Sequence, residues 1–325
     1  MVVSDRFVLG VDLGGTKILS LCLDPDLNVV SRDYRPTDAG EGVDGVLGRM
    51  AESARAAAGG RPIAAVGVST AGTTNPTTGT VHTSPNMPGW RNVRLRDMLA
   101  ERLALPVWIE NDANAGALAE HRIGAGRGTR HMVLVAAGTG IGGGLILDGK
   151  LYHGASGGAG EIGHMQLDLE GRQCSCGRRG CLEALASGWA LDLSAREIAQ
   201  ASPEGLVASF ARREGVEPDG RILDLAAAAG DPEADAALRK AGRFFGDGLT
   251  NLIHLLNPEL VVVGGSLRKS EVYYRTALEV VEREAFPQHL ADVRIVEAEL
   301  GDEAPAMGAA LVAFEKLGEG PGARA

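Results

Sequence analysis

The sequence predicts an α/β protein made of two similar halves. Three observations carry that expectation. Short apolar runs ending in glycine alternate with stretches of helical composition. A strand, a Gly-rich turn and a hairpin near the N-terminus recur from Met132 onward. At 325 residues the chain is long enough for two domains, each with an ample core. Phe7 to Asp12 reads as a buried strand entering Gly14-Gly15, followed by strands at Ile18 to Leu23 and Asn28 to Tyr34 about the turn Asp24-Pro25-Asp26. Val43 to Ala58 has helical composition, Ala64 to Ser69 is a buried strand, and Leu95 to Leu103 is a helix stopped before Pro106. Val107 to Glu110 is a strand that runs through Asn111-Asp112 into a helix, Ala113 to Ile123. The pattern then restarts with the strand Met132 to Ala136, the loop Gly138-Thr-Gly-Ile-Gly-Gly-Gly144, and a hairpin of Leu145 to Leu147 with Leu151 to His153 about Asp148-Gly149. Helices are expected at Leu182 to Gln200, Pro203 to Glu214, Ile222 to Ala229, Glu233 to Leu256, Val272 to Glu284 and Ala304 to Lys316, with strands at Glu259 to Val263 and Val293 to Val296.

Composition narrows the function classes. A net charge of −10 argues against a nonspecific grip on nucleic acid or anionic membrane, but not against a small anionic ligand held by local dipoles. The 46 glycines are about twice the usual share and collect in particular loops, which suggests backbone approach to ligands. The chain starts without a basic, apolar leader, and no apolar run is long enough to span a bilayer, so a cytoplasmic, reducing setting is expected.

Three of the four cysteines lie in one stretch, Glu161-Ile-Gly-His164 followed by Cys174-Ser-Cys176-Gly-Arg-Arg-Gly-Cys181-Leu-Glu183. In a reducing compartment, three thiols and an imidazole are the ligand set of a closed structural zinc site, which is favoured over a disulfide with a stray thiol. The stretch also sets two carboxylates, Glu161 and Glu183, beside the ligands His164, Cys174, Cys176 and Cys181.

Three Gly-rich turns each follow a buried strand: Gly14-Gly15-Thr16-Lys17, Gly138-Thr139-Gly140, and Gly264-Gly265-Ser266. Glycine lets backbone N–H groups converge on phosphate oxygens, Thr16 and Thr139 add hydroxyls, and Lys17 adds a positive charge. Asp12, at a strand end, is placed to hold Mg²⁺ through water. Each turn alone reads equally as a tight turn at a sheet edge; three together favour a nucleotide site. A Walker A sequence is lacking, and the first turn leads into a strand where a dinucleotide fingerprint would open a helix. Glu110-Asn111-Asp112-Ala-Asn114 lies where strand becomes helix. Asp112 reads either as a capping aspartate or as a base accepting the proton of an alcohol during phosphoryl transfer, and both roles are compatible. Asn111 can donate and accept, as a sugar hydroxyl requires.

Taken in order, Asp12-Leu-Gly-Gly-Thr-Lys17, Glu110-Asn-Asp-Ala-Asn114, Gly138-Thr-Gly-Ile-Gly-Gly143, Glu161-Ile-Gly-His164 and the cysteine run to Glu183 resemble the ROK family (repressors, open reading frames, kinases) over residues 7 to 316. The resemblance implies the actin-like sugar-kinase ATPase fold, two RNase H-like domains around a cleft. The expected division is a small domain, 1–122, completed by the C-terminal helix 304–317, and a large domain, 123–303, carrying the zinc loop 161–183. It implies ATP-dependent phosphorylation of a hexose at the 6-hydroxyl, glucose to glucose 6-phosphate, with Mg²⁺ and structural Zn²⁺. Asp112 matches the general base. Asn86, Asn111, Glu161, His164 and Glu183 match sugar contacts, with His164 giving one ring nitrogen to zinc and the other to a sugar hydroxyl. Gly14, Gly15, Thr16 and Thr139 match phosphate contacts, and Gly264 and Gly265 the adenosine side. Ser69-Thr70-Ala71-Gly72 stands where many relatives have a Pro-Gly pair, which leaves open the sugar among glucose, N-acetylglucosamine, N-acetylmannosamine and fructose. Polyphosphate is the alternative donor. A sugar-responsive repressor is the alternative class, disfavoured by the acidic charge and by the six residues before the first strand. Dimers or tetramers are expected. Sugar-driven closure is expected to shield the segment from Asn86 to Asn92 with Trp90.

Overall fold

The computed structural model describes residues 6–84 and 87–318. It divides into two compact units, one running to Arg130 and including Gly144–Gly160 and the chain from Glu299, the other formed by His131–Gly143 and Glu161–Ala298.

The first unit contains β1 (Phe7–Leu13), β2 (Lys17–Leu23), β3 (Val29–Pro36), α1 (Gly42–Ala58), β4 (Ile63–Thr70), three short strands β5 (Thr73–Asn75), β6 (Thr80–Thr83) and β7 (Arg91–Val93), then α2 (Leu95–Leu103), β8 (Val107–Asn111) and α3 (Asp112–Ile123). Its main sheet has the order β3-β2-β1-β4-β8, antiparallel across β3-β2-β1 and parallel from β1 to β8. Strand alternation splits the apolar residues between two faces. Leu9, Val11, Val66 and Val68 pack with Val46, Leu47 and Met50 of α1. Val8, Leu19, Leu21, Leu23 and Ala65 pack with Ala306, Ala310, Ala313 and Phe314 near the C-terminus. There the helix backbone lies directly on the sheet. A Cβ at Gly67 would fall 1.7 Å from the Ala309 carbonyl oxygen, and one at Gly10 would fall 1.9 Å from that of Ala306.

The chain continues through β9 (Met132–Ala137), β10 (Ile141–Leu147), β11 (Lys150–Leu151), α4 (Leu182–Ala186), α5 (Gly188–Ala201), α6 (Leu206–Glu214), α7 (Gly220–Ala228), α8 (Pro232–Leu256), β12 (Leu260–Gly264), α9 (Glu271–Glu284), α10 (Pro287–Asp292) and β13 (Arg294–Glu297). The last helix, α11 (Ala304–Lys316), belongs to the first unit. The second sheet has the order β11-β10-β9-β12-β13, with β10 antiparallel to β11 and β12 parallel to both β9 and β13. Its strand order matches that of the first sheet, so the repeat expected from the sequence is present as repeated topology. Among the described residues no helix is long and apolar enough to cross a membrane.

Several elements differ from expectation. The helix expected over Leu182 to Gln200 is broken at Ser187, whose side chain accepts the Ala190 N–H at 3.3 Å to start α5. Gly188 there approaches the Gly138 carbonyl so closely that a Cβ would lie 2.8 Å from its oxygen. Gly142, Gly143 and Gly144 lie within β10 rather than in a loop. At Gly144 a Cβ would meet the Ala117 methyl at 2.5 Å, so the glycine serves strand-on-helix packing. The sheet β5-β6-β7 was not anticipated. Trp90 is buried, 2% exposed among Val81, Met87 and Val93, whereas Arg91 and Asn92 beside it are exposed. Asn86 lies outside the described residues.

Candidate active site and metal centre

Two parallel strands of the first unit, β1 and β8, end in carboxylates or the residues that aim them. Asp12 is buried, pairs across the β1–β4 ladder with Ser69, and accepts the Ser69 hydroxyl at 2.8 Å. Burial pushes the Asp12 carboxyl up to about 7; the Ser69 hydrogen bond opposes that shift and the charge of Asp112 adds to it. A buried carboxylate at a strand end is a hard oxygen donor, so Asp12 fits the expected Mg²⁺. Lys17 opens β2, and its Nζ lies 3.6 Å from the exposed Asp302 carboxylate.

At the β8–α3 junction the helix cap is Asn111, not Asp112. Asn111 Oδ1 accepts the N–H groups of Ala113 at 3.0 Å and Asn114 at 3.1 Å, and its Nδ2 donates to the Gly72 carbonyl at 3.3 Å. The amide therefore has backbone duties as well as any sugar contact. Asp112 is the first helical residue, where the positive end of α3 favours its charge. Its Oδ1 accepts the Ala113 N–H at 2.9 Å. Burial nevertheless pushes its carboxyl above the usual carboxylate range, with those N–H donors opposing. A carboxyl with a raised pKa is of the kind that can accept a proton from a hydroxyl.

The second unit holds the cysteine cluster. His164 ends a short 3-10 turn, Ile162–His164. The loop that follows is closed by bridge pairs Gln166 with Cys181 and Gln173 with Arg179. Gly177 turns between Cys176 and Arg178 with a φ of +90°, a conformation that favours glycine. The four ligand atoms of His164, Cys174, Cys176 and Cys181 lie within 4.8 Å of one another. Cys174 Sγ is 3.7 Å from His164 Nδ1, and Cys176 Sγ is 3.7 Å from Cys181 Sγ. A zinc–thiolate tetrahedron has edges of about 3.8 Å, whereas a disulfide is about 2.05 Å. The cysteines are free, and the donor set fits zinc. With Nδ1 turned to the thiols, His164 Nε2 faces the other way, 4.0 Å from Glu161 Oε2.

Glu183 follows Cys181 by two residues, in the first turn of α4. Its Oε2 accepts the Ile141 N–H at 3.1 Å and lies 2.6 Å from where a Gly140 Cβ would be. The metal loop is thereby tied to the Gly-rich turn between β9 and β10. That turn is fixed further by the N–H of Gly188 on the Gly138 carbonyl, 2.8 Å, and of Trp189 on the Thr139 carbonyl, 3.0 Å. Gly265, with φ +85°, lies beside it; a Cβ there would sit 2.1 Å from the Ala137 carbonyl oxygen.

Asp12, Gly14, Gly15, Thr16, Lys17, Asn111 and Asp112 all belong to the first unit. Gly138, Thr139, Gly140, Glu161, His164, the three clustered cysteines, Glu183, Gly264 and Gly265 all belong to the second. Sequence reasoning missed Ser69, whose only signal was a hydroxyl at a strand end. It also missed His153, which nothing in its local pattern distinguished from a hairpin residue; its Nε2 lies 2.7 Å from Glu110 Oε2.

Residues 8–316 match the model of the ROK family. The chain is 36% identical over 316 residues to a glucokinase of Streptomyces coelicolor, covering 94% of this chain and 97% of that one. It is 30% identical over 307 residues to a xylose repressor of Caldicellulosiruptor bescii, covering 93% of this chain and 76% of the repressor. Among solved structures it is similar to a ROK family glucokinase from Streptomyces griseus in complex with glucose and AMPPNP, with a TM-score of 0.80, 34% identity, and coverage of 94% of this chain and 98% of that one.

Proposed function

This chain belongs to the ROK family, and from that premise we propose that it transfers the γ-phosphoryl group of ATP to the 6-hydroxyl of a hexose, converting glucose to glucose 6-phosphate. The observation that carries the reading is Asp112: a desolvated carboxyl at a helix N-terminus, aimed by a capping Asn111 and beside a second buried acid, Asp12. Asp112 takes the hydroxyl proton as the oxygen attacks phosphorus. Asp12 would hold Mg²⁺, which would supply neutralisation of charge on the phosphates. The glycine turns at Gly14, Gly138 and Gly264 present backbone N–H groups to the nucleotide. Glu161, Glu183 and His164 Nε2 are the sugar-side groups, with Asn111 Nδ2 and Asn86 as further candidates. His164, Cys174, Cys176 and Cys181 would hold zinc, which would fix the His164 ring in one tautomer and orientation for the sugar. The reaction is one of soluble sugar metabolism, which fits a cytoplasmic homo-oligomer. The repressor alternative is weaker, because the chain is 36% identical to the S. coelicolor glucokinase and 30% identical to the xylose repressor.

A coupled assay over a panel of hexoses with ATP and polyphosphate tests this. Glucose with ATP should give the highest kcat/KM, with turnover on the order of 1–100 per second. Absence of turnover with every hexose and donor would overturn it, and preference for an N-acetylated sugar would reassign the substrate.

A further inference from the structure

Glu110, at the end of β8, is 2% exposed and carries three hydrogen bonds on its carboxylate. Oε1 accepts the Asn111 N–H at 3.0 Å and the Asn114 side-chain amide at 3.1 Å, and Oε2 accepts from His153 Nε2 at 2.7 Å. A carboxylate so deeply buried is costly unless its oxygens are all served, and His153 is the one ionisable donor among the three. Glu110 and Lys316 are the charged groups facing the imidazole, and the Glu110 hydrogen bond holds its pKa above the ordinary value. His153 lies just beyond β11 on a loop that is itself anchored. The Ala159 N–H donates to the His153 carbonyl at 3.2 Å. Gly157, at φ +92°, passes so near Thr74 and Pro76 that a Cβ would lie 2.7 Å from the proline ring. Beyond Gly160 the chain leaves the first unit and enters Glu161-Ile-Gly-His164 of the second.

We propose that His153 is a positioning residue for phosphoryl transfer: through Glu110 it locks the backbone of the Asn111–Asp112 turn, and it anchors there the loop that leads to Glu161 and the metal ligand His164. The chain of action is short. Glu110 holds the Asn111 N–H, Asn111 caps α3, and Asp112 is the next residue, so freedom at Glu110 becomes misdirection of the Asp112 carboxyl. This inference rests on Asp112 being the base.

The test uses the full, zinc-loaded chain and compares His153→Ala, His153→Gln and Asp112→Asn for kcat, both KM values and Tm. Misplacing a base by a fraction of an ångström costs ~10-fold or more in rate, so His153→Ala should lose that much kcat while KM for ATP stays within about twofold. His153→Gln, whose amide nitrogen can reach the same carboxylate oxygen, should recover most of the loss. If His153→Ala does not fold, His153→Asn, too short to reach Glu110, takes its place against His153→Gln. The inference is overturned if the short or apolar variant keeps kcat within about twofold of wild type, or if His153→Gln loses as much as it does. Substantial turnover in Asp112→Asn would sink the base reading and this inference with it. A dead Asp112→Asn beside an unimpaired His153→Ala would sink this inference alone.

Discussion

The two sheets share one strand order yet carry opposite chemistry at corresponding ends. In the first sheet, β1 places Asp12 two residues before Gly14 and pairs it with Ser69 of β4. In the second, β9 places Ala136 two residues before Gly138 and pairs it with Gly264 of β12. A carboxylate and a hydroxyl in one frame are answered by a methyl group and a hydrogen in the other. The first sheet therefore carries a buried acid at this strand end, and the second carries backbone with almost no side chain. The metal loop is an insertion after the second hairpin with no counterpart after the first. Repeated topology provides two scaffolds, and residue identity at strand ends, not the fold, assigns their work.

The sharpest way to break the comparison is Asp112→Asn, which keeps the shape of the acidic end and removes its base. Turnover should fall by ~10²–10⁴-fold with sugar affinity retained, read by steady-state kinetics and calorimetry. If more than about a tenth of wild-type turnover remains, Asp112 is structural and is not the base.

On the second side, Cys176→Ser or chelation should cost order rather than chemistry. Zinc contributes on the order of 10 kcal/mol of apparent folding energy in small finger peptides, and a large domain need lose only part of that. We expect one zinc per wild-type chain by elemental analysis, a lower Tm without it, raised hydrogen exchange confined to residues 161–183, and weakened glucose binding. Full activity in Cys176→Ser would remove zinc from the account.

Ser69→Ala makes the first sheet end more like the second while leaving Asp12 in place. A hydrogen bond to a charged group contributes roughly 1.5–3 kcal/mol, so Mg²⁺-ATP should bind ~10-fold more weakly. The acid limb of the rate profile should move to higher pH, because the hydroxyl that opposes the rise in the Asp12 pKa has gone. An unmoved limb would show that Asp12 does not govern it.

The smallest effect concerns stability. The Asp12 carboxyl is raised from 3.8 to about 7, so between those values the folded chain keeps a proton that the unfolded chain releases. Its contribution to stability is fully present below the lower value and is lost as pH rises through the upper one. Asp12→Asn, uncharged throughout, should melt a few degrees above wild type near ~pH 8 and converge with it near ~pH 4. Parallel Tm curves across that range would mean the carboxyl is not desolvated in solution.

Much of this was legible because the physics was local. The helices Leu95–Leu103 and Ala304–Lys316 stand where apolar spacing and Pro106 put them. The cysteine cluster was readable because few chemistries need three thiols and a histidine so close together. The small sheet was not readable, because Thr73–Asn75, Thr80–Thr83 and Arg91–Val93 are too short and polar for alternation to register. The break at Ser187 depends on a carbonyl about fifty residues upstream, Gly138. Asn111 displaced Asp112 as the cap because both residue types cap helices, and only backbone geometry decides between them. Ser69 became visible only once β1 and β4 had paired, and His153 only once its loop had packed against the end of β8.

The seating of α11 on Gly10 and Gly67 also has a consequence for biosynthesis. One face of the first sheet is complete by the time β8 has been made, but its cover, α11, follows only after the whole of the second unit. At 5–20 residues per second, roughly 10–50 s separate Ala65 from Ala306 at the ribosome. For that interval Val8, Leu19, Leu21, Leu23 and Ala65 present an apolar surface with a glycine-floored groove and no helix to fill it. The nascent N-terminal half is thus a natural client for a holding chaperone, and a chain truncated before Ala304 is a predicted aggregator rather than a shorter enzyme.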